Sequence, residues 1–154
     1  MNIIDEDIAL TEIAVLRTQY VNEKNSGHIN QKTQFTYAFN LCRSKDPACL
    51  QLALTLLEDL RSKTWEKDAI RDYIYFTSIA FLKLKKYDDA LEYVDILLNR
   101  EPKNRQIIEL RERIKKDQIK DGLVGAAVIG GAAATVGLIG LGIAALGIAL
   151  ARKK

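Results

Sequence analysis

From Leu123 to Ala151 the chain runs for 29 residues without a charge, then finishes in Arg152, Lys153 and Lys154. Thr135 is the one polar side chain in that run, and its hydroxyl can bond back to its own helix. As a helix, 29 residues reach about 43 Å, enough for one pass through about 30 Å of hydrocarbon and too few for two. A flexible linker would also be glycine-rich, but twelve Leu, Ile and Val residues argue instead for a membrane span.

The rest of the chain is a different material. Residues 1–121 hold 20 basic and 20 acidic side chains, so the formal net charge of +3 comes from the last three residues. A domain without surplus cations has no electrostatic footprint for nucleic acid. Eight of the nine glycines, Gly122 to Gly147, lie in or just before the apolar run. The expected organisation is a cytosolic helical domain over 1–121, a transmembrane tail anchor over 122–151, and a basic tail over 152–154.

The N-terminus, MNIIDEDIALTEIA, is acidic. It lacks the basic start of a secretory signal and the arginine-rich character of a presequence. A span with three residues after it is expected to insert after translation, leaving the N-terminal domain in the cytosol. Small residues four apart within the span, such as Ala126, Gly130 and Ala134, suit close helix approach in lipid, so association of two copies is an expectation.

Residues 1–121 show 3.6-residue periodicity and almost no strand signal, which predicts an all-α head of six helices. Ile8, Ile13, Leu16 and Tyr20 trace one face of a first helix, stopping near Ser26 and Gly27. Asn30 is the expected N-cap of a second helix running to about Ser44. Asp46 and Pro47 form a strong start signal for a third, with Leu50, Leu54, Leu57 and Leu60 inward. A fourth is expected from about Lys67 to Leu84, a fifth from about Asp88 to Arg100, and a sixth after Pro102, from about Asn104.

Arg71 to Asn104 has the length of a tetratricopeptide repeat, with Ser78, Phe81, Ala90 and Pro102 at repeat positions. A weaker unit spans Gln31 to Lys63; its Ala53, Leu57 and Leu60 precede Ala90, Val94 and Leu97 by 37 residues. The expected architecture is a six-helix bundle with two tetratricopeptide-like pairs, plus one C-terminal transmembrane helix.

Catalytic patterns are missing. His28 sits in a turn-like stretch, and Cys42 and Cys49, seven apart, fit no metal-ligand spacing. No metal, cofactor or enzymatic activity is expected. In repeat folds the first helix of each pair lines the inner face. Repeat register assigns Phe35, Phe39, Cys42 and Arg43 to it from the second helix. From the fourth it assigns Asp72, Tyr75, Ile79, Leu82 and Lys83. An aromatic and aliphatic lining edged by charge suits an amphipathic helix or an extended peptide.

The blocks TQFTYAFNLCRS, RDYIYF, LKKYDDALEYVDILL, EPKN and KDGLVG, together with the basic end, resemble the mitochondrial fission 1 protein family over nearly the whole chain. The resemblance implies a tail-anchored adaptor of the mitochondrial outer membrane and of peroxisomes. It also implies partners: a dynamin-related GTPase or its adaptors, and Rab GTPase-activating proteins. An N-terminal segment lies over the groove in some members. Phe39 stands where close relatives commonly carry Trp, and Thr77 and Ser78 replace apolar residues. Two alternatives are a tail-anchored apoptosis regulator, although its Asn-Trp-Gly-Arg-like motif is absent here, and an import receptor binding amphipathic helices.

Overall fold

A computed structural model describes residues 3–129. Six α-helices follow one another, and the described residues contain no strand: α1 (Leu10–Asn25), α2 (Gln31–Arg43), α3 (Pro47–Lys63), α4 (Lys67–Lys83), α5 (Tyr87–Arg100) and α6 (Arg105–Ile129). The chain divides into two compact units, Met1–Lys115 and Lys116–Lys154. That division falls within α6, ahead of the composition change at Gly122.

Local chemistry sets the helix ends. The Asn30 side chain accepts from the Lys32 amide at 2.8 Å, Asp46 from Ala48 at 2.9 Å, and Asn104 from Gln106 at 3.0 Å. Each uses a side-chain oxygen to satisfy a helix-start amide that has no intrahelical partner. Two helices end in the same paired bonds. After α1, His28 N–H donates to Glu23 and Gly27 N–H to Lys24; after α4, Lys86 N–H donates to Phe81 and Lys85 N–H to Leu82. The motif needs a left-handed residue. Gly27 supplies it at φ 77°, but after α4 the position is taken by Lys85 at φ 60°.

The first unit has two contiguous cores. One joins α1, α2, α3 and the inner side of α4 through Ile13, Tyr37, Leu41, Leu57 and Tyr73. The other joins α4, α5 and the start of α6 through Ile79, Val94, Leu97, Ile107 and Ile114. The pairs α2–α3 and α4–α5 are the two repeat-like hairpins. Gln34, 2% exposed, ties the first hairpin together, donating to the Leu56 carbonyl at 3.1 Å and the Asp59 carboxylate at 2.7 Å.

The first segment departs from the sequence expectation. Helix α1 starts at Leu10, so Ile8 is buried from a non-helical arm rather than from a helical face. α5 begins at Tyr87, one residue before the expected start.

In the second unit the described part, Lys116–Ile129, is helical, and Ile119, Leu123 and Val124 are exposed. No helix among the described residues is long and apolar enough to cross a membrane. Residues 130–154, with most of the expected span, its small-residue spacing beyond Ala126, and Arg152, Lys153 and Lys154, lie outside the described residues.

Candidate functional site: an aromatic groove under an acidic arm

Four-residue spacing on α2 stacks Phe35, Phe39 and Arg43 on one helix face. That face meets α4 at Phe76, around which the aromatic rings gather. Ring centroids lie 5.7 Å away for Phe35, 5.1 Å for Phe39 and 5.4 Å for Tyr75, the last two edge-on. Edge-to-face rings at such distances attract through their quadrupoles as well as through burial. Phe35 also approaches Tyr73 at 5.3 Å. Phe35, Phe39 and Tyr75 all keep part of their surface open.

Other residues of the expected lining sit elsewhere. Ile79 is 0% and Leu82 4% exposed; both belong to the second core and support the face from beneath. Their spacing marks them as apolar, and the α5–α6 layer that covers them is a tertiary fact. Cys42 is fully buried, its thiol donating to the Phe76 carbonyl at 3.8 Å. Burial pushes its pKa up to about 12, so it is a packing residue that stays a thiol. Cys49 is half-buried and free. Asp72 lies three turns from Lys83, about 16 Å along α4. It pairs at 2.9 Å with Arg71, which also binds Glu101 at 2.9 Å. Tyr75 packs against the second core; burial is the main cause that raises its phenol, with Gln106 acting in the opposite sense.

The repeat register has no place for the segment that lies on this face. Residues 3–5 form a turn, and residues 6–9 continue without helix. Arg43 Nε binds the Glu6 carboxylate at 2.6 Å, and both side chains are largely shielded, at 22% and 23% exposure. The second arm of the guanidinium donates to Asn40 at 2.8 Å. Lys83 Nζ donates to the Glu6 carbonyl at 3.1 Å, with a longer approach to the Ile3 carbonyl at 3.5 Å. Arg113 on α6 grips Asp5 with two nitrogens at 2.7 and 3.2 Å. The Lys45 amide donates to Asp7 at 3.1 Å.

Apolar contacts complete the seat: Ile3 packs against both cores, Ile4 against the second, and Ile8 is 6% exposed within the first. Desolvation beneath the arm holds the Lys83 ammonium below the ordinary lysine range, while the nearby carboxylates of Asp7 and Glu6 act in the opposite sense. The arm thus spans α2, α4 and the start of α6. The run of three acids between Ile3-Ile4 and Ile8 is its signature in the sequence, although nothing local shows where such a segment docks.

Among the described residues no group of His, Cys, Asp and Glu could hold a metal ion. His28 Nδ1 lies 3.0 Å from the Ser26 carbonyl, within its own turn. The groove presents aromatic faces, cations and aliphatic seats.

A family model described as the Fis1 C-terminal tetratricopeptide repeat matches residues 71–123, from α4 into α6. Mitochondrial fission 1 protein of Bos taurus is 38% identical over 153 residues, covering 99% of this chain and 97% of the relative. The Homo sapiens protein of that name is 37% identical with the same coverage. Among solved structures, yeast Fis1 in complex with an Mdv1 fragment superposes with a TM-score of 0.68 at 26% identity, covering 77% of this chain and 91% of that one. The solution structure of yeast Fis1 gives 0.67 at 28% identity, covering 83% and 87%. With near-complete coverage at this identity, and with the same helical architecture, the chain belongs to the mitochondrial fission 1 protein family.

Proposed function

We propose that this chain is a non-enzymatic adaptor, tail-anchored in the mitochondrial outer membrane and in peroxisomes, that recruits proteins through the face shared by α2, α4 and α6 and so promotes organelle division. The observation that carries this reading is the groove itself: a half-open aromatic cluster rimmed by Arg43 and Lys83, already accepting a peptide segment, the chain's own arm. A face that seats one segment presents the donors and apolar surface that a partner segment needs. The partners are a dynamin-related GTPase or its adaptors, and Rab GTPase-activating proteins. Family membership supports this, as does the yeast relative solved with an Mdv1 fragment.

The test uses the full chain in vesicles, offered each purified partner class separately. Capture of at least one class, lost on Phe39→Ala with the melting midpoint preserved, supports the groove. Capture indifferent to Phe39→Ala moves the recruitment site elsewhere. For the address, a reporter fused to residues 118–154 should reach mitochondria and leave them when Arg152, Lys153 and Lys154 become serines. A reporter that stays wholly mitochondrial removes the basic end as the address.

A further inference from the structure

The groove carries opposite charge at its two ends. Arg43 and Lys83 are the last residues of α2 and α4, and both are held by the segment that lies over them. Three turns back along α4 the groove is acidic and open. There Asp72 sits one turn before Phe76 on the same helix face, its side chain half exposed. Arg71 is a single cation shared between the carboxylates of Asp72 and Glu101, both at 2.9 Å, so one negative charge is left over. On α6, Glu109 is exposed and makes no ion pair among the described residues. Tyr75 stands within reach of both sides. After burial and Gln106, the charges that act on its phenol are those of Arg71 and Glu109, in opposite senses. Nearby, Phe35 and Phe39 keep apolar surface open.

We infer that this open end takes a partner segment carrying an arginine or lysine flanked by aliphatic residues. The cation lies over Tyr75 within reach of Asp72 and Glu109, and the aliphatic side chains rest on Phe35 and Phe39. The inference rests on the groove being the recruitment site and adds the chemistry of the segment that enters it. Charge complementarity selects the occupant. A cation here meets two acids and an aromatic face, and its attraction to the ring adds to the ion pairs. Arginine gains most, because its planar group stacks on a ring while donating to a carboxylate. An acidic segment meets repulsion at this end. A purely apolar one uses the aromatic floor and draws nothing from either carboxylate.

The test uses the full chain in detergent micelles, its N-terminal arm intact, with empty micelles as the blank. Four fluorescent probe peptides are titrated by polarisation: Ala-Leu-Ala-Arg-Leu-Ala-Ala and its analogues with Lys, Gln or Glu in place of Arg. The Arg probe should bind at least about tenfold tighter than the Gln probe, with the Lys probe between them. The Glu probe should not saturate, and added salt should narrow the differences. Asp72→Asn combined with Glu109→Gln should bring the Arg and Gln probes level. Glu109→Lys alone, at an exposed and unpaired position, should rank the Glu probe above the Arg probe. Circular dichroism and melting of each variant confirm that the helices persist. Equal binding of the Arg and Gln probes to the parent chain overturns the inference. So does a preference for Arg that survives these substitutions, a Glu probe that binds the parent more tightly, or no saturable binding to the folded chain. Partner capture in the vesicle assay separates the two readings. If Phe39-dependent capture persists while probe selectivity fails, the groove stands and its charge code falls; if both fail, the groove itself is refuted.

Discussion

Arg43 and Glu6 meet at 2.6 Å although 37 residues separate them in sequence. Their contact joins the C-terminal turn of α2 to a segment with no secondary structure of its own. Both side chains are mostly shielded from water, so the pair is screened less than an ordinary surface bridge.

Replacing Arg43 with alanine should free the arm. Amide exchange at residues 5–8 should accelerate, while exchange inside α3 and α5 stays as it was. The stability cost should be about 1 kcal/mol, since one partly exposed pair and its bond to Asn40 are lost. Hydrogen exchange resolved by segment is the measurement. Unchanged exchange at residues 5–8 would mean that the remaining contacts, from Lys83, Arg113, Lys45 and the buried Ile8, hold the arm without Arg43.

Ile79 and Phe39 should separate stability from recruitment. Ile79 is fully buried, so Ile79→Ala leaves a cavity and should cost about 2–5 kcal/mol. Phe39 keeps part of its surface open, so Phe39→Ala should cost less in melting and more in partner capture, where a central aromatic anchor is commonly worth about 2 kcal/mol or more. Melting and capture measured on the same two preparations decide it. If Phe39→Ala melts as early as Ile79→Ala, Phe39 belongs to the core.

Lys85 holds a left-handed conformation that glycine adopts freely, at the position that Gly27 fills after α1. Lys85→Gly should stabilise the chain by about 0.5–1 kcal/mol, the relief of backbone strain being partly offset by the greater freedom of glycine when unfolded. Denaturant unfolding of residues 1–121, expected to be a soluble helical fragment, gives the number. A loss of stability would show that the lysine side chain contributes more than its backbone costs.

Acid should loosen the first hairpin through Asp59. Hydrogen bonds from Lys63 and then Gln34 hold its carboxyl below the ordinary value of 3.8. The folded pKa lies under the unfolded one, so this contribution is fully present above about 3.8 and fades as pH falls through the folded value. Asp59→Asn should be less stable at neutral pH and lose less stability on acidification than the parent. Parallel acid curves for the two proteins would exclude Asp59 as a source of the fall.

The sequence by itself determined the helices and their ends. Asn30, Asp46-Pro47 and Asn104 are local stop-and-start chemistry, and capping acts over three or four residues, so it is readable without a fold. Periodicity likewise placed Leu50, Leu54, Leu57 and Leu60 in a core, because an apolar stripe needs cover whatever supplies it. Only the tertiary structure decided which element covers each stripe. Ile79 and Leu82 carry the same apolar signal as Phe39, yet α5 and α6 bury the first two and leave the phenylalanine at the groove. The arm was the least legible part. Its contacts reach 37 residues to Arg43, 77 to Lys83 and 108 to Arg113, and a non-helical segment carries no period to announce them. Its position follows from where three separate helices bring their cations together, which is a property of packing and not of any local stretch of chain.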